Sequence, residues 1–198
     1  MKKNKISKNW INKQRRDIYV RKSKLEGYRS RAIYKLKEID DKFKIIRNGI
    51  KVVDLGSAPG SWSQYLSEKS KNSKILSIDL KDIEKIHNVT HLIGDFLDEK
   101  NQTIISNFFE DKLDLIVSDM AVNTTGNKNL DSISTGELSI NAMEFSVRNL
   151  KKDGSFVSKI FMGSTFNEIV ENCKKTSKKL KFINPRLVVK TLKKALLF

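Results

Sequence analysis

The sequence predicts an α/β fold in which parallel strands form an open sheet that carries helices on both faces. Short apolar segments of strand length alternate along the chain with longer segments whose apolar residues recur at helical spacing. Several of the apolar segments end at a glycine or an aspartate, as strands of ligand-binding α/β sheets do. With 198 residues and no internal repeat, the chain has the length of one domain.

The basic residues are concentrated at the two ends of the chain. The sequence holds 39 Lys and Arg against 23 Asp and Glu, a net charge of +16. Residues 1–37 contain 14 basic and two acidic side chains, and residues 172–198 contain nine basic and no acidic ones. A lysine-rich composition explains part of the excess but not its asymmetry, which predicts a polyanionic partner. We expect residues 1–26 to form a basic arm that is mobile until the partner binds, and residues 27–198 to form the single domain.

The first predicted helix follows Gly27. Ser30 is a plausible N-cap, and Ile33, Leu36 and Ile39 form an apolar stripe at helical spacing, which predicts that the helix packs on the domain. Lys35 lies off that stripe and is available for another role.

The first predicted strand, residues 52–55, ends in a turn of small residues that leads into a helix at residue 61. Gly56 and Gly60 in this turn lack a Cβ, so the backbone can adopt positive φ and a ligand can approach it. The spacing matches neither the dinucleotide G-x-G-x-x-G motif nor a phosphate-binding P-loop. Alone, the turn predicts either a site for a nucleotide-like ligand or a plain structural turn.

Two further predicted strands, residues 74–80 and 91–93, carry an acid at or just beyond the carboxyl end. Asp79 lies where an acid can accept hydrogen bonds from the ribose hydroxyls of an adenosine, and Asp95 follows the next strand. Either acid alone could be an ordinary surface or capping group. Two acids in successive loops favour a binding site.

The fourth predicted strand, residues 113–120, ends at Asp119, and residues 123–127 form a polar loop long enough to serve as a lid. The strand predicted over residues 155–161 contains Lys159 within an apolar segment. Lys159 either extends from an edge strand to solvent or is held inward beside an acid, and Asp119 ends the neighbouring strand in the usual order.

The remaining elements are a helix over residues 136–150 and strands at residues 180–184 and 195–198. No apolar segment approaches the ~20 residues of a membrane span, so we expect a cytoplasmic protein. The single cysteine cannot form an internal disulfide. His87 and His91 are four residues apart in a predicted loop rather than a helix, so we expect no metal site.

Four segments, in the same order, together resemble a known family. They are residues 30–36 (SRAIYKL), 54–64 (DLGSAPGSWSQ), 118–121 (SDMA) and 157–163 (VSKIFMG). In these segments the chain resembles the FtsJ-type (RlmE) ribosomal RNA 2′-O-methyltransferase family, and the resemblance extends from about residue 27 to residue 166.

The resemblance implies a Rossmann-like S-adenosylmethionine-dependent methyltransferase fold with a mostly parallel, seven-stranded sheet. It implies 2′-O-methylation of a uridine ribose in 23S rRNA, with the large ribosomal subunit as partner and a monomeric enzyme. It places Gly60 and Trp62 at the methionine end of the cofactor together with Asp119, Asp79 at the ribose and Asp95 at the adenine.

The resemblance also implies that Lys35, Asp119 and Lys159 are catalytic. A ribose hydroxyl is a poor nucleophile, so a base, here Lys159, must take its proton. A lysine accepts a proton only when its pKa falls, which burial and a second cation such as Lys35 promote. Asp119 would hold the Lys159 amine by a hydrogen bond.

One segment departs from the family pattern. The family has a fourth catalytic residue, a glutamate, and alignment on Pro185 places Lys194 at its position. The fourth role is then dispensable, or another acid such as Glu137 takes it, or transfer is slow. One alternative is therefore an RNA-binding or ribosome-assembly factor that keeps the fold without turnover. A second alternative is a tRNA ribose methyltransferase, because the sequence does not separate the two RNA substrates.

Overall fold

The computed structural model describes residues 17–122, 126–160, 166–167, 170–171, 180–183, 186–189 and 195–197. The helices are α1 (Ile18–Leu25), α2 (Ile33–Phe43), α3 (Ser61–Lys69), α4 (Glu99–Phe109) and α5 (Lys128–Asn149). The strands are β1 (Lys51–Leu55), β2 (Lys74–Asp79), β3 (Val89–Ile93), β4 (Leu113–Ser118), β5 (Leu150–Ser158), β6 (Leu180–Ile183), β7 (Arg186–Val189) and β8 (Ala195–Leu197). No helix within these ranges has the length and apolar character that crossing a membrane requires.

Six strands form one sheet in the order β3-β2-β1-β4-β5-β8, and every neighbouring pair is parallel. Because parallel crossovers are right-handed, the helices that connect strands on the two sides of β1 cover opposite faces. The predicted α/β fold with a mostly parallel sheet is therefore confirmed. The expected seventh strand is not found in the described ranges, where β6 and β7 instead form a separate antiparallel pair.

The carboxyl ends of β1 and β4 mark the point where the strand order changes direction. β2 and β3 lie on one side of β1, and β4, β5 and β8 lie on the other. In open α/β sheets, ligands bind in the crevice at such a point. The sheet topology therefore places the turn after β1 and the residue that follows β4 side by side.

The predicted apolar stripe of α2 is confirmed, since Ile33, Leu36 and Ile39 are almost completely buried. The prediction that Ser30 caps this helix is wrong, because the cap position is Ala32 and has no side-chain cap. The Ser30 hydroxyl instead accepts the Ala32 N–H at 3.2 Å and shares a 2.6 Å hydrogen bond with Ser61. Ser30 thus links α2 to α3.

Two expected boundaries are wrong. Helix α5 begins at residue 128, eight residues before the predicted start at residue 136. Strand β5 begins at Leu150, five residues before the predicted start at residue 155, and its pairing register with β4 shifts between Leu113 and Leu115. The extra residues are absorbed as a bulge, so the strand continues past them.

The end of the predicted mobile arm is helical. Asp17 caps α1 by accepting the N–H groups of Tyr19 and Val20, and its carboxylate pairs with Arg31. Of the residues of α1, Ser23 alone is buried, so the helix has no apolar stripe that periodicity could detect. Polar contacts hold it in place, whereas residues 1–16 lie outside the described ranges.

Candidate active site

Two glycines shape the turn between β1 and α3. Gly56 has φ +73°, and a Cβ there would lie 2.5 Å from Met120 Cγ. Gly60 has φ +100°, and a Cβ there would lie 2.8 Å from Arg29 Nη1. Both positions therefore require glycine, and the turn keeps its backbone close to the end of β4 and to the Arg29 side chain.

The acids predicted to bind an adenosine lie at one edge of the sheet. Asp79 ends β2, and its carboxylate accepts the N–H of Ala58 in the glycine turn at 2.9 Å. The Asp79 carbonyl accepts the Gly94 N–H at 2.9 Å, which brings Asp95 alongside. Asp95 is exposed and its Oδ1 accepts the Leu97 N–H at 2.9 Å. The turn, Asp79 and Asp95 thus form one continuous surface.

Trp62 lies in the first turn of α3 and is buried. Its indole Nε1–H donates to the Ala32 carbonyl at 2.8 Å. This contact anchors the first turn of α3 to the start of α2. Trp62 therefore lies beside the expected cofactor site with its ring committed to packing and to this hydrogen bond.

The three predicted catalytic side chains meet at one carboxylate oxygen. Lys159 Nζ lies 3.0 Å from Asp119 Oδ1, and Lys35 Nζ lies 3.7 Å from the same oxygen. The Lys159 ammonium also donates to the Asp119 carbonyl at 3.0 Å. Lys159 and Asp119 are 15% and 19% exposed, so the cluster is shielded yet reachable from the solvent.

The backbone fixes Asp119 and Lys159 at the carboxyl ends of their strands. The Asp119 N–H donates to Leu55 at the end of β1, and the Lys159 N–H donates to Ser118 at the end of β4. The Ser139 hydroxyl of α5 donates to the Lys159 carbonyl at 2.9 Å. Because β5 lies between β4 and β8, the alternative that Lys159 extends from an edge strand is wrong.

Asp54, for which no role was predicted, also belongs to the site. It is fully buried in β1, its Oδ2 accepts the Ser63 hydroxyl at 2.6 Å, and its Oδ1 has no hydrogen-bond partner within the described residues. Burial raises the pKa of Asp54 to about 7, and the charge of Asp119 adds to the rise. It lines a cavity of about 20 Å³ with Gly56 and Asp119, room for one water. An aspartate in the middle of an apolar strand was the available signal.

A large basic cleft leads to the lysine cluster. Its volume is about 1250 Å³, and it is lined by residues of α1 and α2 together with Asp119. Tyr19 and Tyr34 lie 5.5 Å apart between ring centroids, and Lys22 Nζ lies 5.0 Å from the centre of the Tyr34 ring. Tyr19 remains 58% exposed. Basic and aromatic side chains thus alternate along the cleft next to Lys35.

Several predicted features lie outside the described residues. These are the position of Lys194, most of the predicted lid loop and the end of the fourth family-like segment at residues 161–163. The alternative acid Glu137 is exposed on α5.

The sequence is similar to those of known proteins over most of its length. The model of the FtsJ-like methyltransferases matches residues 28–191. The chain belongs to this family. It is 59% identical over 186 residues to the ribosomal RNA large subunit methyltransferase E of Pelagibacter ubique, covering 94% of this chain and 92% of that one. The enzyme of the same name from Rickettsia akari is 45% identical, with 90% and 82% covered.

A solved structure of a family relative supports the fold. The crystal structure of a ribosomal RNA methyltransferase from Plasmodium falciparum superposes with a TM-score of 0.71 at 31% identity. The match covers 79% of this chain and 91% of that one. This FtsJ-like methyltransferase therefore has the Rossmann-like fold, and its methyl donor is S-adenosylmethionine.

Proposed function

We propose that this chain transfers the methyl group of S-adenosylmethionine to the 2′-hydroxyl of a uridine ribose in large-subunit (23S) ribosomal RNA. The observation that carries the proposal is the pairing of Lys159 and Lys35 with one oxygen of Asp119, 3.0 and 3.7 Å away, beside the glycine turn. The names of the Pelagibacter and Rickettsia relatives support the choice of large-subunit rRNA.

The residues of the crevice fit the proposed methyl donor. Gly56 and Gly60 let the turn pack closely on Met120 and Arg29, because a Cβ at either position would collide with these residues. The carboxylate of Asp79 suits two ribose hydroxyls, and Asp95 suits the amino edge of an adenine. The carboxylate of Asp119 suits the cationic methionine end of S-adenosylmethionine. Trp62 supports the turn through its hydrogen bond to Ala32. When bound there, S-adenosylmethionine supplies a methyl group on a positively charged sulfur.

Lys159 is proposed as the general base. The Lys159 amine would take the proton of the ribose hydroxyl while the ribose oxygen attacks the methyl group that bound S-adenosylmethionine would supply, with the thioether as the leaving group. Asp119 holds that amine with its carboxylate and its backbone carbonyl, so the lone pair has a defined direction. Alignment of this kind can supply about 7 to 11 kcal/mol of the barrier.

Lys35 is proposed to position the RNA. Its side chain is 34% exposed, pairs with Asp119 and lines the basic cleft. A cation there attracts a ribose or phosphate oxygen of the bound strand. The cleft suits single-stranded RNA, because its basic side chains can contact successive phosphates and an unstacked base can stack on the exposed ring of Tyr19.

Methyl transfer from labelled S-adenosylmethionine is the direct test of this function. The protein is incubated separately with large ribosomal subunits, deproteinised rRNA and tRNA, and the labelled RNA is digested to nucleosides. We expect 2′-O-methyluridine from the rRNA. Label in tRNA alone would refute the rRNA assignment. Label in none of the three RNAs would refute methyl transfer and favour an RNA-binding factor without turnover.

A lysine variant with a matched control tests the mechanism. Lys159→Ala should abolish transfer and leave the affinity for S-adenosylmethionine almost unchanged. Lys151→Ala removes a lysine within β5 whose ammonium pairs with Asp114 at a distance of 3.0 Å. Lys151 is not part of the Asp119 cluster, so this variant should retain transfer. Equal rates of methyl transfer for wild type and Lys159→Ala would show that Lys159 is not the general base.

A further inference from the structure

We propose that Arg29 is a positioning residue that couples occupancy of the cofactor site to the placement of Lys35 and hence to RNA binding. The inference rests on the proposed function. It assigns a role to an arginine next to the RNA cleft that differs from an electrostatic contact with phosphate.

The guanidinium of Arg29 is directed at backbone carbonyls of two loops. Nη1 donates to the Pro59 carbonyl at 3.2 Å and to the Glu84 carbonyl at 2.8 Å, and Nη2 donates to the Lys85 carbonyl at 3.3 Å. Pro59 belongs to the glycine turn, and residues 84–85 follow the β2 end that carries Asp79. One side chain therefore joins the turn to the loop beyond the proposed ribose site.

Arginine suits this role better than lysine. The planar guanidinium presents five N–H donors in a fixed arrangement, whereas an ammonium is a compact charge on a flexible stem. The Arg29 side chain is 19% exposed and makes three hydrogen bonds to backbone carbonyls, whereas Arg31 is 52% exposed and pairs with Asp17. The two arginines of the same segment thus separate into a half-buried clamp and a surface cation.

The segment that carries Arg29 is also attached to α3 along its length. The Gln64 amide donates to the Gly27 carbonyl at 3.1 Å, and the Tyr28 hydroxyl donates to Glu68 at 3.0 Å. The Ser30–Ser61 and Trp62–Ala32 hydrogen bonds described above continue this series. Lys35 lies in the first turn of α2, directly after the segment.

A ligand that orders the glycine turn therefore acts on α2 through Arg29 and α3. Coupling of this kind is reciprocal, so the cofactor should strengthen RNA binding by the same factor by which RNA strengthens cofactor binding. The clamp gives the coupling a physical route, because it connects the cofactor turn to the residues that precede Lys35.

The test compares Arg29→Lys with the matched control Arg31→Lys, since both keep the positive charge. Titration calorimetry with S-adenosylhomocysteine should show about tenfold weaker binding for Arg29→Lys, because several hydrogen bonds to carbonyls are lost. Arg31→Lys should bind this ligand as wild type does. Circular dichroism of both variants verifies that they are folded.

The coupling itself is measured as the ratio of RNA affinities with and without S-adenosylhomocysteine. In wild type this ratio should exceed one, and in Arg29→Lys it should fall towards one while the affinity for RNA alone is retained. An unchanged ratio together with weaker binding of RNA alone would show that Arg29 is a phosphate contact and overturn the inference.

Wild-type protein provides a second measurement that needs no variant. S-adenosylhomocysteine should slow amide hydrogen exchange in residues 28–35 as well as in residues 56–60. Slowing confined to residues 56–60 would overturn the inference. None of these measurements uses methyl transfer, so a failed activity assay and a failed coupling assay are distinguishable.

Discussion

Replacing Asp54 with asparagine should remove one pH-dependent part of the stability. The Asp54 carboxyl is fully buried and accepts the Ser63 hydroxyl at 2.6 Å. Burial raises its pKa from 3.8 to about 7, Asp119 adds to the rise and the Ser63 hydrogen bond opposes it. Asparagine has nearly the same shape and can accept the same hydrogen bond, but it cannot ionise.

The size and sign of the effect follow from the raised pKa. The folded protein favours the protonated carboxyl, so the contribution of Asp54 is fully present below the unfolded pKa of 3.8 and is lost as the pH rises through about 7. A rise of about 3 units corresponds to about 4 kcal/mol in the free energy of unfolding. About 2.5 kcal/mol of this is lost between about pH 5 and about pH 8.

Urea unfolding across that pH range measures the difference. The free energy of unfolding of Asp54→Asn, minus that of wild type, should increase by about 2.5 kcal/mol from about pH 5 to about pH 8. Ser63→Ala is the companion variant, because loss of the donor raises the pKa of Asp54 further and should extend the loss to higher pH. Parallel pH profiles for wild type and Asp54→Asn would refute the reasoning.

Substitutions at three further residues have defined outcomes. Gly60→Ala should lower the free energy of unfolding by about 1 to 2 kcal/mol, because residue 60 has a positive φ. The added Cβ would displace Arg29 and should weaken binding of S-adenosylmethionine, as measured by calorimetry. An affinity equal to that of wild type would contradict the predicted collision between the Cβ and Arg29 at 2.8 Å. Asp79→Ala removes the acceptor of the Ala58 N–H and should raise the KM for S-adenosylmethionine with little change in RNA affinity, and the opposite pattern would refute its placement. Tyr19→Ala should weaken binding of single-stranded RNA by about 1 to 3 kcal/mol, whereas Tyr19→Phe should bind as wild type does. Equal RNA affinities of wild type and both variants in filter binding would exclude stacking of a base on this ring.

The sheet was predictable because buried parallel strands consist of nearly continuous apolar residues. The segments that became β1, β2 and β4 are such runs, and an acid or glycine marks where each ends. The meeting of Asp119 and Lys159 then follows from neighbouring parallel strands whose carboxyl ends share one edge. Sequence left the direction of Lys159 open, because that depends on β8 covering the far side of β5.

The features that sequence could not predict depend on polar contacts between distant segments. Helix α1 is held by Asp17 and Arg31 rather than by an apolar face, so its residues had no helical period. The partners of Arg29 are backbone carbonyls, which are present at every residue and leave no pattern. Asp54 was visible as an acid inside an apolar run, but its unpaired oxygen and raised pKa appear only when the surrounding chain is assembled.

The position of β8 in the sheet affects how the protein folds during synthesis on the ribosome. β5, which directly precedes Lys159, pairs on its outer side with residues 195–197. A nascent chain therefore cannot complete the sheet around Lys159 until these residues have left the ribosome. Chains that stop before residue 195 would expose β5 as an open edge, which can pair with strands of other molecules. Premature termination before residue 195 would thus produce a protein that is prone to aggregation.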